Sequence, residues 1–217
     1  MATPTRTRTR AGARRGRSRV PVVGIVIAAV VALAVVALAV TLLTGDDQAA
    51  ETVEVADVDV EGEALPQLPG DGSDPAIGSP VPSLHGVSPV GGPVSIEPGD
   101  EPLLIVVGAH WCPHCQAELP RVVEWLDQGG AEGVEVVGLS TAADESAPNW
   151  PPSAWWEREG WDRPVLVDSA DQTAAQALGV SGYPFFVLVD ADGRVAGRWA
   201  GEIGTEPLDA AIAALDS

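Results

Sequence analysis

Leu103-Leu-Ile-Val-Val107-Gly108-Ala-His-Trp111-Cys112-Pro113-His114-Cys115 decides how this chain is read. Five apolar residues stopped by a glycine predict a buried strand over Leu103 to Val107, and the strand feeds directly into the turn that carries the cysteines. These are the only two cysteines in 217 residues, and they stand two residues apart. A CxxC pair leading into a helix is the pattern of a redox dithiol. At the helix N-terminus, unpaired backbone N–H groups and the macrodipole favour negative charge. Cys112 is thus expected to be the attacking thiolate, and Cys115, one turn further in, the sulfur that resolves the mixed disulfide. Half a zinc site is the competing use of the pair. A four-cysteine or two-cysteine, two-histidine site would need more cysteine or histidine ligands, and beyond this motif the chain after the apolar run offers only His85.

Beyond the turn, the helix is expected from Cys112 to about Gln128, kinked at Pro120 and stopped by Gly129-Gly130. Strands follow at Val134 to Leu139 and Pro164 to Val167, with a short helix from Pro152 to Glu159 between them. Ser169 and Gln172 form a capping-box pattern for a helix ending at Leu178-Gly179. After Tyr183-Pro184, the strand Phe185 to Val189, the turn Asp190 to Gly193 and the strand Val195 to Trp199 make a hairpin. A last helix covers Glu206 to Leu215. This order implies an α/β fold with helices on both faces of a central mixed sheet.

The N-terminal part reads differently. Val20 to Leu43 holds 24 residues without a charge, roughly 36 Å of helix, which is enough to cross a bilayer core of about 30 Å. Seven arginines and no acid precede it, so a single transmembrane helix with a cytoplasmic tail at 1–19 is expected. The catalytic part then lies outside the cell membrane. Five basic residues stand there against all 31 acidic ones, a surface that excludes nucleic acid as a partner. Residues 44–86, acidic and then rich in Pro and Gly, are expected to be an extended spacer, with a short strand within Val53 to Val60 as a weaker reading. The folded domain is placed at 87–217.

WCPHC after a buried strand, Pro120 five residues beyond the second cysteine, and Gly-Tyr-Pro before an apolar strand together resemble the thioredoxin fold. Within it the chain is similar to the membrane-anchored TlpA-like branch (ResA/DsbE-type), through its anchor, the pattern Cys112, Cys115, Glu118, Pro120, and the insertion around Ser140 to Asp168. The resemblance implies a thiol:disulfide oxidoreductase that uses no cofactor and no metal. Pro184 is then the cis-proline, and Trp111, Pro113 and Tyr183 line the substrate groove. Three positions depart from the pattern. Pro113-His114 is the dipeptide of DsbA-like oxidants, Tyr183 stands where threonine is usual, and Val106 stands where thioredoxins keep a buried aspartate. Glu118, at i+3 from Cys115, is the expected substitute proton acceptor.

His114 is expected to stabilise the Cys112 thiolate, and His110 to be structural or part of the groove. Trp150, Trp155, Trp156 and Trp161 are expected in the core. The dipeptide favours an oxidant of exported proteins, recharged by a membrane redox partner, over a disulfide reductant for cytochrome c maturation. A module of another class, binding or delivering copper through Cys112, His114 and Cys115, is the remaining alternative. A peroxidase of the same fold is disfavoured, since no Pro-x-x-x-Thr-x-x-Cys pattern is present to polarise a peroxide.

Overall fold

The computed structural model describes residues 51–215 and, ahead of them, only Ile27 and Val31. The expected tail at 1–19 and nearly all of the expected span at 20–43 lie outside the described residues. Among the described residues no helix is long and apolar enough to cross a membrane.

Among the described residues from Asp59 onward, eight strands and four helices follow one another: β1 (Asp59–Glu61), β2 (Ser83–Val87), β3 (Pro93–Ile96), β4 (Leu103–Gly108), α1 (Pro113–Asp127), β5 (Glu135–Ser140), α2 (Pro152–Arg158), β6 (Val165–Val167), α3 (Thr173–Ala177), β7 (Phe185–Val189), β8 (Val195–Ala200) and α4 (Glu206–Leu215). The central sheet has the order β6-β5-β4-β7-β8, with β4, β5 and β6 parallel and β7 and β8 antiparallel to their neighbours. This is the thioredoxin-like α/β arrangement with a mixed sheet.

Strand β4 lies in the middle and is buried along its whole length, as its unbroken apolar run requires. Its residues alternate between two cores. Leu104 and Val106 join Leu119, Val122 and Leu126 of α1 and Trp155 and Trp156 of α2, whereas Leu103, Ile105 and Val107 face the other way. Cys112 is the N-cap of α1 with extended backbone and Pro113 opens the first turn, so the missing proline N–H costs nothing there. Gly130 closes the helix against Trp125, where a Cβ would lie 2.0 Å from the indole nitrogen.

The spacer expected at 44–86 is not a spacer over the residues described. A compact unit begins at Ala50 instead of Val87. Strands β1, β2 and β3 form a three-stranded antiparallel sheet, and Leu65, Ala76, Val81 and Leu84 are buried in the second core with α3 and the outward residues of β4. The backbone is tied down as well. Leu65 and Leu68 donate to the carbonyls of Ala177 and Gly179, and Gly78 and Val81 to those of Val195 and Gly193. The prolines fit this role because a segment laid along existing strands needs few of its own N–H donors.

Arg198 of β8 fastens the segment. Its side chain is fully buried, bonded to Asp74 through Nε at 2.9 Å and to the carbonyls of Pro66 and Leu178, each at 2.9 Å. Arg198 holds the Asp74 carboxyl below the usual carboxylate range, chiefly by hydrogen bonding. A depressed folded-state value means that the stabilisation is present above the unfolded value of about 3.9 and is lost as pH falls through the folded one. Asp74→Ala is therefore expected to cost about 3–5 kcal/mol at neutral pH, because it strands a buried guanidinium. In urea unfolding, the gap to the wild type should narrow below pH ~4. A gap that stays constant with pH would show that Asp74 contributes through something other than its charge.

The expected capping box at Ser169 and Gln172 is also corrected. Helix α3 begins at Thr173, and Gln172 lies outside it with φ 59° and no side-chain cap. The cap comes from Asp168, whose carboxylate accepts N–H bonds from Ala174 and Ala175 at 2.9 and 3.1 Å, and from Ser169 Oγ, which accepts from Thr173 at 3.0 Å. The hairpin of β7 and β8 is as expected, turned at Gly193 with φ 73°.

Candidate active site

Strand β4 delivers the chain at Gly108, and the turn Ala109 to Cys112 is closed by a bond from the Cys112 N–H to the Ala109 carbonyl at 3.0 Å. Both cysteines are free thiols. Cys112 keeps 5% of its surface exposed and Cys115 only 1%, so a client sulfur meets Cys112 first. The Cys112 thiol points at the Tyr183 carbonyl, 3.6 Å away, and the Tyr183-Pro184 bond is cis. Tyr183 and Pro184 thus stand beside the dithiol, 71 residues along the chain from Cys112 to Tyr183.

Trp111 is anchored by its indole N–H to the Ala142 carbonyl at 2.7 Å and meets Tyr183 edge-on at 6.1 Å. The Tyr183 hydroxyl donates to Gln172 at 2.8 Å, and burial pushes its phenol above the ordinary value. Pro113 is exposed at the start of α1. Trp111 and Pro113 flank Cys112 in the chain, and Tyr183 faces it through its carbonyl.

Beneath the turn, Cys115 is pushed well above the usual thiol range, mainly by burial. It shares a cavity of about 10 Å³ with Glu118, Val106, Trp155, Trp156 and Pro184. Glu118 is completely buried. One carboxylate oxygen accepts the N–H groups of Ile203 and Gly204 at 3.0 and 2.6 Å, and the other faces Arg121 at 2.9 Å. Val106 lines this cavity with a hydrocarbon, leaving Glu118 as the carboxylate on the Cys115 side.

His114 is largely exposed, and its Nδ1 lies 2.7 Å from Glu202. Its ring is thus engaged with a carboxylate at the surface. Among the described residues, Cys112, His114 and Cys115 do not form a group that could hold a metal. His110, in contrast, is a buried structural residue. Its Nε2 accepts the Asp144 N–H at 3.1 Å, so Nδ1 carries the proton given to the Pro148 carbonyl at 2.8 Å. Trp155, Trp156 and Trp161 are in the core as expected, while Trp150 packs on His110 and stays partly exposed.

Three contributors were not legible in the sequence. Glu202 comes from the connection after β8, 88 residues from His114, with no motif to announce it. Arg121 at i+3 from Glu118 carried a weak signal. The loop from Thr141 to Pro151 buttresses the turn through Ala142, Asp144, Pro148 and Asn149, each bonded to His110 or Trp111. Its low apolar content hid that role.

Comparison with known proteins matches this arrangement. The Redoxin family model matches residues 76–213. The thiol:disulfide interchange protein DsbE of Tatumella citrea is 32% identical over 148 residues, covering 63% of this chain and 75% of its own. DsbE of Escherichia coli strain K12 is 29% identical over 144 residues, covering 61% and 73%. The solved structure of a putative DsbE from Chlorobium tepidum superimposes with a TM-score of 0.56 at 19% identity, over 65% of this chain and 98% of that one, which bears on the fold. Two thiols held against the Tyr183-Pro184 edge on this scaffold have the same meaning here: the chain belongs to the Redoxin family and is a DsbE/TlpA-like thiol:disulfide oxidoreductase.

Proposed function

We propose that this enzyme is anchored in the cell membrane by residues 20–43, with its N-terminus cytoplasmic, and oxidises exported proteins outside the membrane. The observation that carries the direction is the CPHC turn itself. Cys112 caps a helix whose first turn holds no acidic residue. A helix N-terminus free of acid favours negative charge at its cap, and whatever stabilises the reduced form of such a dithiol makes its disulfide an oxidant.

In the oxidising direction a client thiolate attacks the Cys112 sulfur of the Cys112–Cys115 disulfide. Cys115 leaves with the electron pair and takes a proton from Glu118. The client's second thiolate then attacks its own sulfur in the mixed disulfide, and Cys112 leaves as thiolate. Reduction of a client is the same sequence reversed. Throughout, the Tyr183-Pro184 edge and Trp111 hold the client backbone beside Cys112. A membrane redox partner that reoxidises the dithiol completes the cycle.

The tether bears on where that partner is met. Between Leu43 and Val53, whose N–H is bonded to the Pro89 carbonyl, lie nine residues. They reach about 30 Å at full extension, far less than the long spacer expected from composition. This supports clients and recycling partner being engaged close to the membrane surface.

The reduction potential of the full chain tests the direction. It is expected nearer −120 than −270 mV, the approximate values for DsbA and thioredoxin. His114→Pro should lower it by tens of millivolts, about 1.4 kcal/mol for every 30 mV. A wild-type value near or below about −250 mV, unmoved by the substitution, would reject the oxidant and favour the reductant serving cytochrome c maturation.

A further inference from the structure

His114, Glu118 and Arg121 stand at i, i+4 and i+7 on α1, and the connection from β8 to α4 lies across that helix face. One atom of Arg121 makes two contacts. Its Nη1 lies 2.9 Å from Glu118 Oε2 and 3.2 Å from Glu202 Oε2. The other oxygen of Glu202 holds His114 Nδ1 at 2.7 Å. A continuous line of contacting side chains therefore runs from the exposed histidine of the CPHC turn to the carboxylate buried beside Cys115.

We propose that Arg121 and Glu202 are positioning residues: by sharing one guanidinium nitrogen between two carboxylates, they set how readily Glu118 takes the proton of Cys115. The proposal rests on Glu118 being the proton acceptor for Cys115. In that step the Cys115 S–H bond breaks and the proton passes to Glu118. The thiolate then attacks the Cys112 sulfur of the mixed disulfide, and the client sulfur leaves with the electron pair of the broken bond.

The partners of Glu118 explain the sharing. Its Oε1 is fixed by two neutral backbone donors, so among the described residues the charged group that bonds its carboxylate is Arg121. Glu202 is a standing competitor for that cation, since His114 and Arg121 hold its carboxyl below the usual range. Few other titratable groups face this site. Cys115 lines the same cavity, Cys112 lies above it, Asp209 of α4 is occupied by the Trp125 indole at 2.8 Å, and Glu206 is exposed. Arg121 and Glu202 are themselves partly exposed, so exchanging either leaves the core intact.

The test follows the resolving step alone. The full chain, reduced, is mixed with an equimolar symmetric aromatic disulfide whose two thiolate halves are coloured; Cys112 releases the first half on attack, and the second phase, in which Cys115 displaces the half left on Cys112, is timed by stopped flow across pH. Arg121→Gln leaves the buried carboxylate with neutral donors only, and the midpoint of the pH profile should rise by about one unit or more. Glu202→Gln gives Arg121 wholly to Glu118, and the midpoint should fall. Arg121→Lys, which keeps the cation, should return the midpoint most of the way. Opposite shifts from two surface residues are not what a structural role produces. Shifts of the same sign, or none, while Glu118→Gln flattens the profile, would overturn the sharing and leave Glu118 as acceptor. A profile unchanged by Glu118→Gln would overturn both.

Discussion

Cys115→Ser is expected to collect clients as stable mixed disulfides on Cys112, whereas Cys112→Ser is expected to abolish exchange altogether. The asymmetry follows from position. Cys112 is the more exposed sulfur, caps the helix and faces the Tyr183 carbonyl where a client strand would lie. Cys115 is buried beside Glu118, and burial keeps its proton in place at ordinary pH. It is therefore poor at opening a client disulfide and suited to attacking a sulfur already held above it. A serine hydroxyl at 115 cannot make that attack, so the intermediate persists. Non-reducing electrophoresis of the full chain, incubated with a disulfide-bonded model protein, reads this directly. A ladder of adducts for Cys115→Ser and none for Cys112→Ser is expected. Adducts on Cys115 in the Cys112→Ser variant would reverse the roles.

How much of this was readable depends on what kind of signal each residue sends. Strand β4 announces itself by five consecutive apolar residues and a glycine stop, and the CPHC turn by its spacing, because both are local. The cis-proline edge needed a resemblance as well, since Tyr183 lies far from Cys112 in sequence. Residues 51–86 misled for a physical reason. Leu65, Ala76, Val81 and Leu84 follow neither a helical nor a strand period, because the segment is shaped by the surface it covers. Composition measures how much apolar material a segment has, and here a few residues docked on an existing core suffice. The cap at α3 failed similarly: Asp168 reaches its N–H groups across a turn that puts Gln172 at positive φ, outside the spacing that a capping box assumes. Glu202 sent no signal, since nothing local distinguishes it from the many acids of this surface.

The most drastic structural consequence concerns that N-terminal segment. A chain shortened to begin at Val87, the boundary composition suggests, is expected not to fold, whereas one beginning at Ala50 should retain a full cooperative transition. Removing residues 50–86 takes away β1 and most of β2, uncovering Ile96 and the outer face of β4. Loss of the buried side chains of Leu65, Val81 and Leu84 costs roughly 5–9 kcal/mol at 1.5–3 each. Arg198 would also lose Asp74 and the Pro66 carbonyl, two of the partners that hold its guanidinium. The lost burial alone is comparable to the whole stability of an ordinary domain, about 5–15 kcal/mol. Urea unfolding followed by circular dichroism, with Cys115 reactivity toward a thiol reagent as a second probe, separates the outcomes. A shorter chain with the midpoint of the longer one, and Cys115 equally protected, would mean that the segment decorates the fold. Loss of both transition and protection would mean that the dithiol is held in place from the far side of the sheet, through β4 and β8, by a segment that composition presents as a tether.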